Sequence, residues 1–111
     1  MQEARPRPVE IHAPHGSHRV QIIWDNGQTT DYSLRLLRGY CPCANCQGHQ
    51  GTLKFVDGDW STLIDIEEVG DYALRFVWPD CGTGIYTFPH LLLLATLDEQ
   101  EVQVGTPLRR V

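Results

Sequence analysis

The sequence predicts one small, strand-rich α+β domain with antiparallel hairpins and two short helices. Three observations carry that expectation. Period-two alternation is clearest from Tyr72 to Trp78, where Tyr72, Leu74, Phe76 and Trp78 oppose Ala73, Arg75 and Val77. Turn signals at Asn26-Gly27 and Gly70-Asp71 separate strand candidates closely enough for hairpins. Helical punctuation occurs at two places, after Ser33 and at Pro89. A length of 111 residues suits one such domain. Its expected bounds are 9–105, between an N-terminal tail (1–8) broken by two prolines and a C-terminal tail (106–111).

Val9–His12 reads as a short strand, followed by a turn at Ala13-Pro14-His15-Gly16, because proline presets φ and glycine tolerates positive φ. Arg19–Trp24 is rich in β-branched and aromatic residues, and Gln28–Tyr32 is its expected return strand across Asp25-Asn26-Gly27. Ser33 can cap a short helix that turns Leu34, Leu37 and Leu36 inward and ends at Gly39. Cys41–Thr52 has no periodicity and is a long loop, of the kind that is functional or tied down. Leu53–Val56, Leu63–Val69, Tyr72–Trp78 and Ile85–Phe88 are the next strand expectations. Pro89 stops the last of them, having no N–H for a ladder, and suits the first turn of a helix to Leu97. Glu101–Val104 is a final short strand candidate.

Composition excludes several function classes. The net charge is −5 and Lys54 is the single lysine. A nucleic-acid partner would need clustered cations to neutralise its phosphates, so none is expected. No stretch approaches the ~20 apolar residues of a membrane helix, the longest run being Leu91–Ala95. The polar start of the chain lacks the apolar region of a signal peptide. A cytoplasmic location is the resulting expectation, and there four cysteines are thiols or metal ligands before they are disulfides.

Three of those cysteines crowd into Cys41-Pro42-Cys43-Ala44-Asn45-Cys46. Thiolates one or two residues apart on a turning loop can converge on one ion, and three ligands leave one tetrahedral position. Cys81 is the candidate for it, set in the Pro79-Asp80-Cys81-Gly82 turn after the best strand. His49, three residues past Cys46, competes for the same place. Zinc is the expected cofactor, with an iron–sulfur cluster as the chemical alternative because four thiolates also suit it. Cys43-x-x-Cys46 matches a redox spacing too, although no thioredoxin-like βαβ pattern surrounds it.

Several of these segments resemble the small domain that forms the N-terminal part of gamma-butyrobetaine hydroxylase and trimethyllysine hydroxylase, and that also occurs as a domain of unknown function. They are Ile23-Trp24-Asp25-Asn26-Gly27, Leu37-Arg38 leading into Cys41–Cys46, Ile66–Arg75, and Gly84-Ile85-Tyr86-Thr87-Phe88, in the family's order. The resemblance implies zinc held by three clustered cysteines and a histidine from an Asp-Gly-His turn. Here Cys81 stands in the histidine's place, on a turn one residue shorter. Many bacterial relatives carry Ser-Pro-Ser for Cys-Pro-Cys, which implies a fold that does not require the metal. Some relatives are fused to iron–sulfur carrier ATPases, which is what supports the cluster alternative. The hydroxylases' iron triad begins His-x-Asp or His-x-Glu, and none of His12, His15, His18, His49 or His90 does, so hydroxylase activity does not transfer. The expected role is a non-catalytic binding or accessory module whose partner is another protein or a separately encoded domain.

Other residues invite weaker readings. His12, His15 and His18 flank a Pro-Gly turn and are expected to face solvent, and Asp57, Asp59 and Asp65 lack the ligand spacing of a calcium loop. Trp24, Trp60 and Trp78 are expected as core or half-buried packing, and Leu91–Leu94 as a helix face laid on the sheet.

Overall fold

The computed structural model describes residues 6–14, 16–42, 53–58, 60–80 and 82–108. Two antiparallel sheets of three strands each are formed in chain order. The first comprises β1 (Pro8–His12), β2 (Arg19–Trp24) and β3 (Thr29–Ser33); the second comprises β4 (Asp65–Val69), β5 (Ala73–Trp78) and β6 (Gly82–Thr87). Helix α1 (Leu34–Gly39) follows β3 directly, and α2 (Phe88–Leu94) follows β6. The small α+β class expected from the sequence is therefore the observed one.

Alternation sets which faces are buried. Val20, Ile22 and Trp24 of β2 and Leu74, Phe76 and Trp78 of β5 all lie within one hydrophobic cluster with Leu34, Leu36 and Leu37 of α1 and Phe88, Leu91 and Leu94 of α2. Burying each such side chain contributes roughly 1.5–3 kcal/mol. Polar atoms brought in with the aromatic rings are satisfied: Trp24 Nε1 donates to Thr30 Oγ1 (2.8 Å), and the Tyr32 hydroxyl donates to the Leu91 carbonyl (2.7 Å). Burial pushes the Tyr32 hydroxyl up to about 12, against a smaller downward pull from Thr30.

Local signals account for the element ends. Ser33 Oγ accepts the Leu36 N–H (3.1 Å) and caps α1, as the sequence predicts. Thr87 does the same for α2, accepting the His90 N–H at 3.3 Å, with Pro89 in the first turn. The Asn26-Gly27 hairpin forms as a three-residue loop: Gly27 N–H donates to the Trp24 carbonyl (3.0 Å), Trp24 N–H donates to the Gln28 carbonyl (2.8 Å), and Gly27 takes φ +87°.

Four expectations need correction. Leu53–Val56 is not a strand; it makes one isolated bridge, Lys54 to Pro107, because Pro107 has no N–H to continue a ladder. Glu101–Val104 is not a strand either: Glu99–Glu101 is a 3-10 helix capped by Asp98, whose carboxylate accepts the Gln100 N–H. Gly39 does end α1, as expected, and packing is the reason it must be glycine there, since an added Cβ would collide with the Phe55 ring. α2 ends at Leu94, short of Leu97, because Ala95–Leu97 close as turns onto Leu91, Leu93 and Leu94. Thr106–Leu108, assigned by sequence to a tail, pair with the 53–55 segment, and Leu108 is buried in the core.

Candidate functional site

The cysteine segment begins two residues after the C-terminal end of α1, at Cys41. Spacing along that helix puts Arg38 four residues after Leu34, on the buried face. A guanidinium there requires a carboxylate, because an unpaired buried charge is prohibitively costly. Asp80, in the connection from β5 to β6, supplies it: Arg38 Nε donates to Asp80 Oδ1 (2.9 Å) and Nη2 to Oδ2 (2.8 Å). Arg38's side chain is 5% exposed and Asp80's 35%. The two parallel bonds fix both the distance and the orientation of the two elements.

A second tie meets α1 one residue earlier, at Leu37. Tyr86 of β6 donates its hydroxyl to the Leu37 carbonyl (2.5 Å) and accepts the Trp78 Nε1–H (3.3 Å). Its ring packs on Phe76 at 4.7 Å and beside His90 at 5.5 Å. His90 Nε2 is 3.1 Å from the Tyr40 carbonyl, and the Tyr40 hydroxyl donates to the Thr106 carbonyl (3.0 Å). Burial pushes the Tyr40 hydroxyl's pKa up, against a smaller opposing effect of Arg35.

Cys41 is fully buried at the centre of this junction. Its N–H donates to the Arg38 carbonyl (3.2 Å), closing the helix end. Its sulfur lies against the backbone of Gly84 in β6, where an added Cβ would come within 2.5 Å of Sγ. The β5–β6 connection bearing Asp80, and the β6 backbone after it, therefore meet the chain where the cysteine loop begins. Of the five residues singled out as metal ligands, Cys41 is the one whose position is described; Cys43, Cys46, His49 and Cys81 lie outside the described residues. Cys81 is bonded in the chain to Asp80 and Gly82, which are described. Among the described residues, no three His, Cys, Asp or Glu side chains converge on one point.

Arg38, Asp80, Gly84 and Tyr86 are parts of the site that cysteine spacing does not name. One signal for Arg38 was present, a charge at a helix position whose period turns it inward. Gly84 and Tyr86 carry no such local signal, since the Cys41 sulfur and the Leu37 carbonyl that they meet lie more than forty residues away. The other tempting residues do not assemble. His12 and His18 are exposed, one beside Glu10 (3.1 Å) and the other edge-on to Trp60 (5.4 Å), and His15 lies outside the described residues. Trp24 and Trp78 are core residues and Trp60 is half-buried. Leu91 and Leu94 pack inward from α2. A cleft of about 590 Å³ opens between the first sheet and the 61–66 segment, lined by Ile11, His18, Arg19, Leu34, Leu63 and Ile66 among others. Among the described residues, no helix is long and apolar enough to cross a membrane.

Comparison with known proteins places this geometry. The structure is similar to the crystal structure of a protein of unknown function from Acidithiobacillus ferrooxidans ATCC 23270, assigned to the DUF971 family, with a TM-score of 0.62 and 27% identity over 82% of this chain and 94% of that one. No curated protein is significantly similar to the chain. Residues 11–92 match the family model described as gamma-butyrobetaine hydroxylase-like, N-terminal. That match spans β2 to β6, α1 and the cysteine segment, and the chain belongs to the gamma-butyrobetaine hydroxylase-like N-terminal family.

Proposed function

We propose that this chain is a non-catalytic binding module of the cytoplasm, in which Cys41, Cys43, Cys46 and Cys81 hold one structural zinc ion, with His49 the alternative fourth ligand. The observation that carries the reading is the seating of Cys41 in the α1–β6 junction, where Arg38 grips Asp80, the residue before Cys81. Ligands forty residues apart in sequence (81 − 41) thus belong to segments that the fold already brings together. The donor set fits the ion: closely spaced thiolates and one remote thiolate complete a tetrahedron that leaves no position for substrate. Bound zinc supplies structural cross-linking there, because a ligand set absent from the unfolded chain makes binding energy into folding energy. The module's partner is another protein or a separately encoded domain.

Elemental analysis and an absorbance spectrum on protein purified without air test this directly. One zinc per chain in a colourless protein is expected, and Cys43→Ser should abolish stoichiometric zinc. Unchanged zinc content in that variant overturns the assignment. Visible absorbance with labile sulfide would replace it with an iron–sulfur carrier using the same thiols.

A further inference from the structure

We infer that the Arg38–Asp80 ion pair is the positioning element of this metal site, holding the β5–β6 connection against the start of the cysteine loop whether or not metal is bound. The inference rests on the zinc reading above and deepens it. Arg38 is three residues before Cys41, and the backbone between them is closed by the Cys41 N–H to Arg38 carbonyl bond. Asp80 is the chain neighbour of Cys81. A two-bond fork therefore joins positions one and three residues from two of the proposed ligands. The fork is also covered. Gly58 lies over the guanidinium so closely that an added Cβ would come within 2.4 Å of Arg38 Cζ.

Stability alone gives little reason for such a pair. Taking the guanidinium and part of the carboxylate from water offsets much of their attraction, and apolar replacements of similar volume are often neutral or stabilising. What an apolar contact cannot do is fix direction. A planar guanidinium bonded twice to a carboxylate sets separation and angle together. The ends of the long segment between Cys41 and Cys81 are thereby closed before the ion arrives, and metal binding does not bear that loop-closure entropy. Arg38 and Asp80 would then raise zinc affinity without touching the ion, as groups outside the ligand set commonly do.

Competition of the full chain against a chromogenic zinc chelator tests this, at a temperature where circular dichroism shows each variant folded. Asp80→Asn removes the charge in nearly the same shape, and Arg38→Lys keeps the charge but loses the fork. Each should weaken zinc binding about tenfold to a hundredfold, with one zinc per chain and a tetrahedral thiolate spectrum in the cobalt-substituted protein retained. Arg75→Gln, which breaks the exposed pair with Glu67, should leave affinity unchanged. If either charge variant does not fold, Gly58→Ala displaces the guanidinium without deleting a charge and should give the same weakening. Zinc affinity equal to that of the unsubstituted chain in the folded variants, with melting lowered equally in the metal-free and zinc forms, overturns the inference and leaves the zinc reading standing. Absence of zinc from the unsubstituted chain overturns the reading beneath it.

Discussion

Two connections between neighbouring strands, one in each sheet, are held in opposite ways. The β2–β3 loop is held chiefly by its own residues, with a backbone tie to the chain just before β1, where Asp25 N–H donates to the Arg7 carbonyl (2.8 Å) and Arg7 N–H donates to Asp25 Oδ1 (3.1 Å). Gly27 supplies a left-handed backbone, Asn26 Oδ1 accepts the Gln28 N–H (2.9 Å), and the chain closes on Trp24 through two backbone bonds. The β5–β6 connection is held from outside, by an arginine more than forty residues earlier on α1. The first is closed mainly by a few consecutive residues; the second, although its strands pair up to Trp78 and Gly82, gains its side-chain anchor only when helix and sheet have met. Where the chain carries its candidate ligands, it uses the second kind. A connection fixed by a remote group reports on the assembled fold, which suits a residue that must meet others from distant parts of the chain.

The comparison predicts unequal costs. Asp80→Ala should be the most damaging, because it strips the buried Arg38 guanidinium of its two-bond carboxylate partner; a loss of about 3 kcal/mol is expected from denaturant unfolding, at the low end for a broken buried pair because Asp80 is partly exposed. Arg38→Met should cost less, since the carboxylate left behind can hydrate. An order reversed between these two variants would mean that burial of the arginine is not what sets the cost. Tyr86→Phe comes next. It leaves the Leu37 carbonyl and the Trp78 N–H without the hydroxyl that joins them, which costs about 1–3 kcal/mol for buried polar groups. Because both changes loosen α1 from the second sheet, the double variant Asp80→Ala/Tyr86→Phe should depart from additivity by about 0.5 kcal/mol or more.

The same contrast explains how far the sequence was readable. β2, the Ser33 cap, the β4–β5 hairpin and a helix with Pro89 in its first turn are written in adjacent residues and form as the pattern implies, although Phe88, expected in the strand, already belongs to that helix. The 53–56 segment and the C-terminal residues misled for a physical reason: apolar, β-prone residues need a partner that can offer a continuous ladder, and Pro107 interrupts it after one bridge. Gly39 looked like a helix stop, yet its lack of a side chain answers to Phe55, sixteen residues on (55 − 39). In the candidate site, spacing named the cysteines but not the framework around Cys41. Arg38 and Asp80 are ordinary surface residue types, and only their juxtaposition gives them a role.

Gly27→Ala is the smallest expected effect and the control that makes the others interpretable. At φ +87° an L side chain meets its own backbone, and alanine there should cost about 1 kcal/mol. Among the described residues nothing lies within 4 Å of the added Cβ, so the cost is conformational and stays in the loop. Combined with Asp80→Ala, it should therefore add to within about 0.5 kcal/mol, as independent sites do. Strong coupling between these two would show that the β2–β3 loop also depends on the α1 junction, and the distinction between a self-held connection and a remotely held one would fall. Additivity here beside coupling at Tyr86 would place the cooperative unit around Cys41, where the ligands are proposed to meet.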